Sequence, residues 1–131
     1  MVTNECIFCR IVKGEIPSFK IYEDDKFFAF LDINPIRAGH TLVIPKKHVD
    51  YIFDYEDPEY SEIFKLAKKL AVKIKKVTHA KKIGIAVEGI AVPHLHIHLV
   101  PVNNGNDLDP CLAKPANMNE LAELAKLIIS A

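Results

Sequence analysis

The sequence has no net charge, with seventeen Lys and Arg balancing seventeen Asp and Glu. Such a balance leaves no electrostatic footprint for nucleic acid or an acidic membrane as partner. Apolar residues make up 50% of the chain, yet no run of them approaches the ~20 residues of a membrane span. The opening MVTNECIFCR lacks the basic flank and long apolar stretch of a secretory leader, so a cytoplasmic location is expected. Cysteine is scarce: there are three, two of them in a C-x-x-C pair, Cys6 and Cys9. That odd count argues against a disulfide framework. Repeats, low-complexity tracts and linkers are also missing, and 131 residues is the length of one domain. The expectation is a single domain over residues 1–131, long enough to bury a core without disulfide or metal.

What is present reads as short strands and two main helices. IYEDDKFFAFLDINP predicts two strands around an acidic turn, Glu23 to Lys26, and HTLVIP a third strand closed by Pro45. The clearest helix lies in YEDPEYSEIFKLAKKLAVKIKKVTHAKK. Asp57 can cap its start and Pro58 suits the first helical position. Ile63, Leu66, Ala67, Leu70, Ala71, Ile74 and Val77 keep helical spacing. Its lysines read as the solvated face, and Glu59 and Glu62 near the start with Lys73, Lys75 and Lys76 near the end follow the helix dipole. IGIAVEGI and HLHIHLV predict two more strands. NMNELAELAKLIIS predicts a C-terminal helix capped by Asn117 or Asn119. Strands, a helix, then strands with few parallel crossovers indicate an α+β fold with an antiparallel sheet.

Three of the six histidines fall in VPHLHIHLVP, at positions 94, 96 and 98. In a strand these alternate residues share one face, leaving Leu95, Ile97 and Leu99 to pack on the other. Three adjacent imidazoles are a strange choice for a merely polar face that Thr, Lys or Glu would serve. Two neighbours could share one metal ion, but all three could not without bending the strand, because four residues of strand span roughly 13 Å and zinc needs each nitrogen at roughly 2.0–2.1 Å. Phosphate chemistry fits better. Imidazole is a nucleophile near neutral pH and a neighbouring ring can donate a proton or hydrogen bond, which makes the middle one, His96, the natural nucleophile.

HLHIHLV fits the His-φ-His-φ-His-φ-φ pattern, φ being apolar, of the histidine triad (HIT) family. CIFCRIVKGEIPS, EDDKFFAFLDINP and GHTLVIPKKHV resemble the N-terminal half of its Hint-like branch, in the right order. The resemblance covers roughly residues 5 to 101. It implies a HIT-like fold with a five-stranded antiparallel sheet and two main helices, paired as a homodimer. It also implies action at the α-phosphate of a purine nucleotide such as an AMP derivative, a phosphoramidate or a dinucleoside polyphosphate, through a nucleotidyl-histidine. Matched position by position, His96 is the nucleophile, with its other ring nitrogen donating to a backbone carbonyl. His98 contacts the phosphate and helps the leaving group, and His40 supports the triad from the neighbouring strand. Asp32 resembles the acid that holds the ribose hydroxyls, a role that suits an acceptor-only carboxylate. Phe8, Ile11, Ile16, Phe30 and Ile33 match apolar positions around the base; each is equally what core packing would place there.

The Cys6–Cys9 pair alone reads as redox, metal or accident. Some HIT proteins hold a structural zinc with two cysteines and two histidines, and the resemblance implies such a set here: Cys6, Cys9, His48 and His94. Zinc on His94 would leave acid–base work to His98. Cys111 has no assignment. The run AVEGIAVPHLHIH departs from the family, with Ala91 where a hydroxyl residue is usual and Val87 where Asn is usual. Two function classes therefore stand: a nucleotide hydrolase or transferase working through His96, and a nucleotide- and zinc-binding interaction protein with little turnover.

Overall fold

A computed structural model describes residues 5–131. Met1 to Asn4, part of the stretch read above for a leader, lie outside the described residues. The chain runs α1 (Ile7–Val12), β1 (Phe19–Glu23), β2 (Phe27–Leu31), β3 (Thr41–Pro45), α2 (Glu59–Thr78), β4 (Lys82–Ala86), β5 (Ile97–Val102) and α3 (Met118–Ser130). The strands form one five-stranded sheet in the order β1-β2-β3-β5-β4. Every neighbouring pair is antiparallel.

The β1–β2 turn closes because Asp24 Oδ1 accepts from the backbone N–H of Lys26 and Phe27, both at 2.8 Å, a short acid competing for backbone donors. All of β2 and β3 is buried, since both faces of the sheet are covered. Ala29, Leu31, Val43, Ile97 and Leu99 pack under α2 and α3, against Ile63, Leu66, Leu70, Ile74, Leu121 and Ile128. Each of these large side chains removed from water contributes about 1.5–3 kcal/mol. The alternate residues Phe28, Phe30, Leu42 and Ile44 face the other way and pack under α1, against Phe8, Cys9 and Ile11.

The sequence reading holds for β1, β2, β3 and both long helices, with local corrections. Pro58 is the N-cap of α2 rather than its first residue. Asp57 does cap the first turn, its Oδ1 accepting from Ser61 N–H at 3.1 Å. Helix α2 stops at Thr78 because His79 turns left-handed, φ 58°, so Lys82 opens β4 instead of ending the helix. Asn117, not Asn119, caps α3, accepting from the N–H of Asn119 and Glu120. Strand β4 ends at Ala86, short of the predicted IGIAVEGI. Among the described residues, no helix is long and apolar enough to cross a membrane.

Candidate nucleotide and metal sites

The expected strand over His94–His98 is shorter than predicted: β5 begins at Ile97. The preceding segment bends at Val92–Pro93, where His94 N–H donates back to Val92 O at 2.8 Å, and Leu95 N–H donates to Val49 O at 2.6 Å. The alternation of the two sheet faces survives from His96 onward, although His94 and His96 are themselves buried. Leu95, Ile97 and Leu99 are fully buried, while His96 and His98 stay neighbours on the α1 face, ring centroids 4.8 Å apart.

Each ring has its protonation pattern set by a partner that can act in only one way. A carbonyl only accepts, so His96 donates from Nδ1 to His94 O at 2.6 Å, and its Nε2 keeps a lone pair. Phe8 meets the same ring edge-on at 4.9 Å. Ile36 N–H only donates, and His40 Nδ1 accepts it at 3.1 Å. The proton of His40 is therefore on Nε2, from which it donates to His98 Nδ1 at 2.9 Å. His98 in turn carries its proton on Nε2. Burial lowers the pKa values of His40 and His98 to about 4, so both are neutral at pH 7. Asp32 follows β2, its Oδ1 accepting from Asn34 N–H at 2.8 Å and its Oδ2 lying 3.7 Å from His40 Nε2. Burial pushes its carboxyl above the ordinary value.

His94 turns its ring towards the cysteines of α1. Its Nε2 donates to Pro45 O at 2.9 Å, which frees the Nδ1 lone pair. That atom lies 3.3 Å from Cys6 Sγ, 3.5 Å from Cys9 Sγ and 3.2 Å from His48 Nδ1; Cys9 Sγ is 3.3 Å from His48 Nδ1. A tetrahedral ion with bonds of ~2.0–2.3 Å spaces its donor atoms roughly 3.3–3.8 Å apart. The four residues can hold one metal ion on that geometry, with the Pro45 carbonyl orienting a ligand ring from behind. Burial raises the Cys6 thiol and lowers His94 to about 4; neutral imidazole is the ligating form, and a buried thiolate needs a cation beside it. Cys6 is the N-cap of α1, an element the sequence reading did not assign. Asp32, His40 and His98 also lie within metal-binding reach of one another. They do not suit an ion, because freeing His40 Nε2 would move its proton to Nδ1, against the N–H of Ile36.

Of the expected base-binding residues, Phe8, Ile11, Ile16 and Phe30 come together beside the triad, with Phe8 and Phe30 edge-to-face at 5.7 Å. Phe8, Ile11 and Phe30 are buried as core. Ile33 stands apart, 47% exposed. The segment after β5 was missed as part of the site. Asp107, 2% exposed, accepts from Arg37 Nη2 at 2.6 Å and from Asn103 and Asn104 N–H. This holds the segment after β5 against the Asp32–His98 end of the site, where Leu108, Pro110 and Ala113 line a cavity. Nothing in NNGNDLDP names Arg37 as the partner of Asp107.

The HIT domain profile matches residues 13–105. The adenosine 5'-monophosphoramidase of Saccharomyces cerevisiae is 37% identical over 123 residues, 93% of this chain and 77% of that protein. Among solved structures, a HIT-like protein from Bartonella henselae aligns with TM-score 0.84 and 34% identity over 99% of this chain and 98% of that one. A zinc-bound histidine triad protein from Mycobacterium smegmatis gives TM-score 0.81 and 32% identity over 96% and 91%. With the triad rings, their hydrogen bonds and the five-stranded sheet in agreement, the chain belongs to the HIT family.

Proposed function

We propose that this chain is a nucleotide hydrolase or nucleotidyl transferase that works through a nucleotidyl-His96 intermediate, acting at the α-phosphate of an adenosine phosphoramidate or a dinucleoside polyphosphate. The observation that carries this is the 2.6 Å hydrogen bond from His96 Nδ1 to His94 O, which leaves Nε2 as a fixed lone pair beside the N–H of His98. Nε2 attacks phosphorus, and the leaving group takes the electron pair and a solvent proton. His98 Nε2–H steadies the phosphate oxygens, and Asp32 accepts from the ribose hydroxyls. Water then cleaves the P–N bond to His96, releases the nucleoside monophosphate and returns a proton to solvent. Two displacements let one site accept several leaving groups. The S. cerevisiae relative, an adenosine 5'-monophosphoramidase by name, supports AMP derivatives as substrates. We assign zinc to Cys6, Cys9, His48 and His94, where when bound it pins α1 to the sheet away from the reacting phosphorus.

A second reading, a nucleotide- and zinc-binding interaction protein with little turnover, draws on the loop before the triad. Ala91 is exposed without a hydroxyl, and Val87 packs into the core, so that loop offers phosphate only backbone N–H groups. Incubation with adenosine 5'-phosphoramidate separates the two. AMP release, a base-stable nucleotide adduct on the His96 peptide, and a loss of several orders of magnitude in kcat for His96→Ala are expected. An intact rate in His96→Ala removes the mechanism; no release from any nucleoside phosphoramidate or dinucleoside polyphosphate favours the second reading.

A further inference from the structure

Asp107 is a carboxylate buried where a neutral side chain would do. It is 2% exposed. Its Oδ2 closes its own turn, accepting from the N–H of Asn103 at 2.7 Å and of Asn104 at 2.9 Å. Asn or Ser closes such turns without burying a charge, and a buried charge is costly unless a counter-charge meets it. Arg37 meets this one, its Nη2 donating to Oδ1 at 2.6 Å. The Asn103 N–H and the Arg37 guanidinium hold Asp107 at about 2, so it is ionised at neutral pH.

Arg37 belongs to the loop between β2 and β3, and that loop serves the site with its backbone. Asn34 N–H donates to Asp32, and Ile36 N–H donates to His40 Nδ1. The second bond places the His40 proton on Nε2 and, through His98 Nδ1, the His98 proton on its own Nε2. Yet the loop has little core to hold it: Ile33, Asn34, Arg37 and Ala38 are exposed. It is fastened by the segment after β5, at three alternate residues. Ala116 N–H donates to Ile33 O at 3.0 Å, Lys114 N–H to Pro35 O at 3.2 Å, and Asp107 takes the Arg37 side chain. Ile36 thus sits between two fastened neighbours. Of the three ties the charge-assisted one is the shortest and the strongest.

We propose that Arg37 and Asp107 are positioning residues for the triad: their ion pair aims the Ile36 N–H at His40 and so fixes which nitrogen of His98 carries its proton. Both act through Ile36 and His40 rather than on the reacting atoms. The catalytic consequence rests on the nucleotidyl-His96 reading, whereas the effect on the rings does not.

The test reads the imidazole nitrogens of the full chain by proton–nitrogen correlation NMR at pH 7. The wild type is expected to show His40 and His98 each with a protonated Nε2 and a bare Nδ1. In Arg37→Met both rings should mix tautomers, while His96, whose Nδ1 donates to His94 O, keeps its pattern; a general loosening would disturb His96 as well. Arg37→Lys keeps a cation at Asp107 and should retain the wild-type pattern. Arg37→Met combined with Asp107→Asn removes the stranded charge too and should match Arg37→Met. With adenosine 5'-phosphoramidate, kcat should follow the tautomers and fall about tenfold in the two variants that lack the cation, part of the roughly 10²–10⁴ that acid–base groups contribute. Wild-type nitrogen shifts in Arg37→Met, or their recovery when Asp107→Asn is added, overturn the proposal, as does an unchanged kcat beside altered tautomers. A wild type that releases no AMP removes the nucleotidyl-His96 reading and the catalytic role with it; the nitrogen shifts decide separately whether the pair sets the tautomers.

Discussion

His40 never meets the phosphorus in the proposed reaction, yet it decides which nitrogen of His98 carries a proton. With Ile36 N–H on one side of its ring and His98 Nδ1 on the other, it transmits a backbone donor's polarity to the site. His40→Leu leaves both groups unpartnered, and each costs roughly 1–3 kcal/mol. It also releases His98 to adopt the wrong tautomer, so kcat is expected to fall by about 10²-fold, the low end of acid–base contributions. The same two rings make stability depend on pH. Burial holds both near 4 in the folded protein, against about 6.5 unfolded. Between those values the unfolded chain binds protons that the folded one refuses. Their contribution is complete above about pH 6.5 and is lost as pH falls towards 4, with a slope of at most about 1.4 kcal/mol per pH unit for each ring. Denaturant unfolding across pH 7.5 to 4.5 should show that slope, and His40→Leu should make it shallower. An unchanged slope in the variant would place the acid sensitivity elsewhere.

Helix α1 has only six residues, too few to hold itself together in water. It stays in place through Phe8, Cys9 and Ile11 and through the cysteine–histidine cluster. Elemental analysis should find about one zinc per chain, lost in Cys9→Ala along with several degrees of melting temperature; wild-type protein indifferent to zinc and chelator would contradict the assignment. At the entry to β3, Gly39 has φ 100°, and a Cβ there would lie 2.7 Å from Thr78 Cγ2 at the end of α2. Gly39→Ala is expected to destabilise by about 1–3 kcal/mol and to displace His40, so melting and turnover should decline together. These contacts also show what a sequence conveys. Helices α2 and α3 were legible because long apolar periodicities survive tertiary context, and β2 and β3 because aromatic and branched runs end at Asp and Pro. Alternation at His94–His98 marked the right faces but not the strand start, since His94 turns its ring to Cys6 and Cys9 and the backbone bends to let it. The C-x-x-C named its ligands' chemistry but not α1. Arg37 and Asp107 stand 70 positions apart, and neither belongs to a pattern that calls for the other.

At the scale of the whole molecule, the sheet leaves β4 as an edge, with Ile85 49% exposed, and Val72 of α2 is 64% exposed. Open strand edges and exposed apolar side chains are costs that association relieves. We expect a homodimer, seen as twice the chain mass by light scattering at micromolar concentration; a monomer there would mean that each chain completes its own site. The cysteine–histidine cluster bears on the whole chain in another way. Cys6 and His94 are 88 positions apart, so an ion between them closes a covalent–coordinate ring around β1 to β4. Gly14 sits in the short exposed stretch just after α1, at φ 80° with open space around it, a natural place for a protease to cut. A chain nicked there would keep its N-terminal peptide while zinc is bound and shed it when a chelator is added. The ion would then act as a removable substitute for a peptide bond.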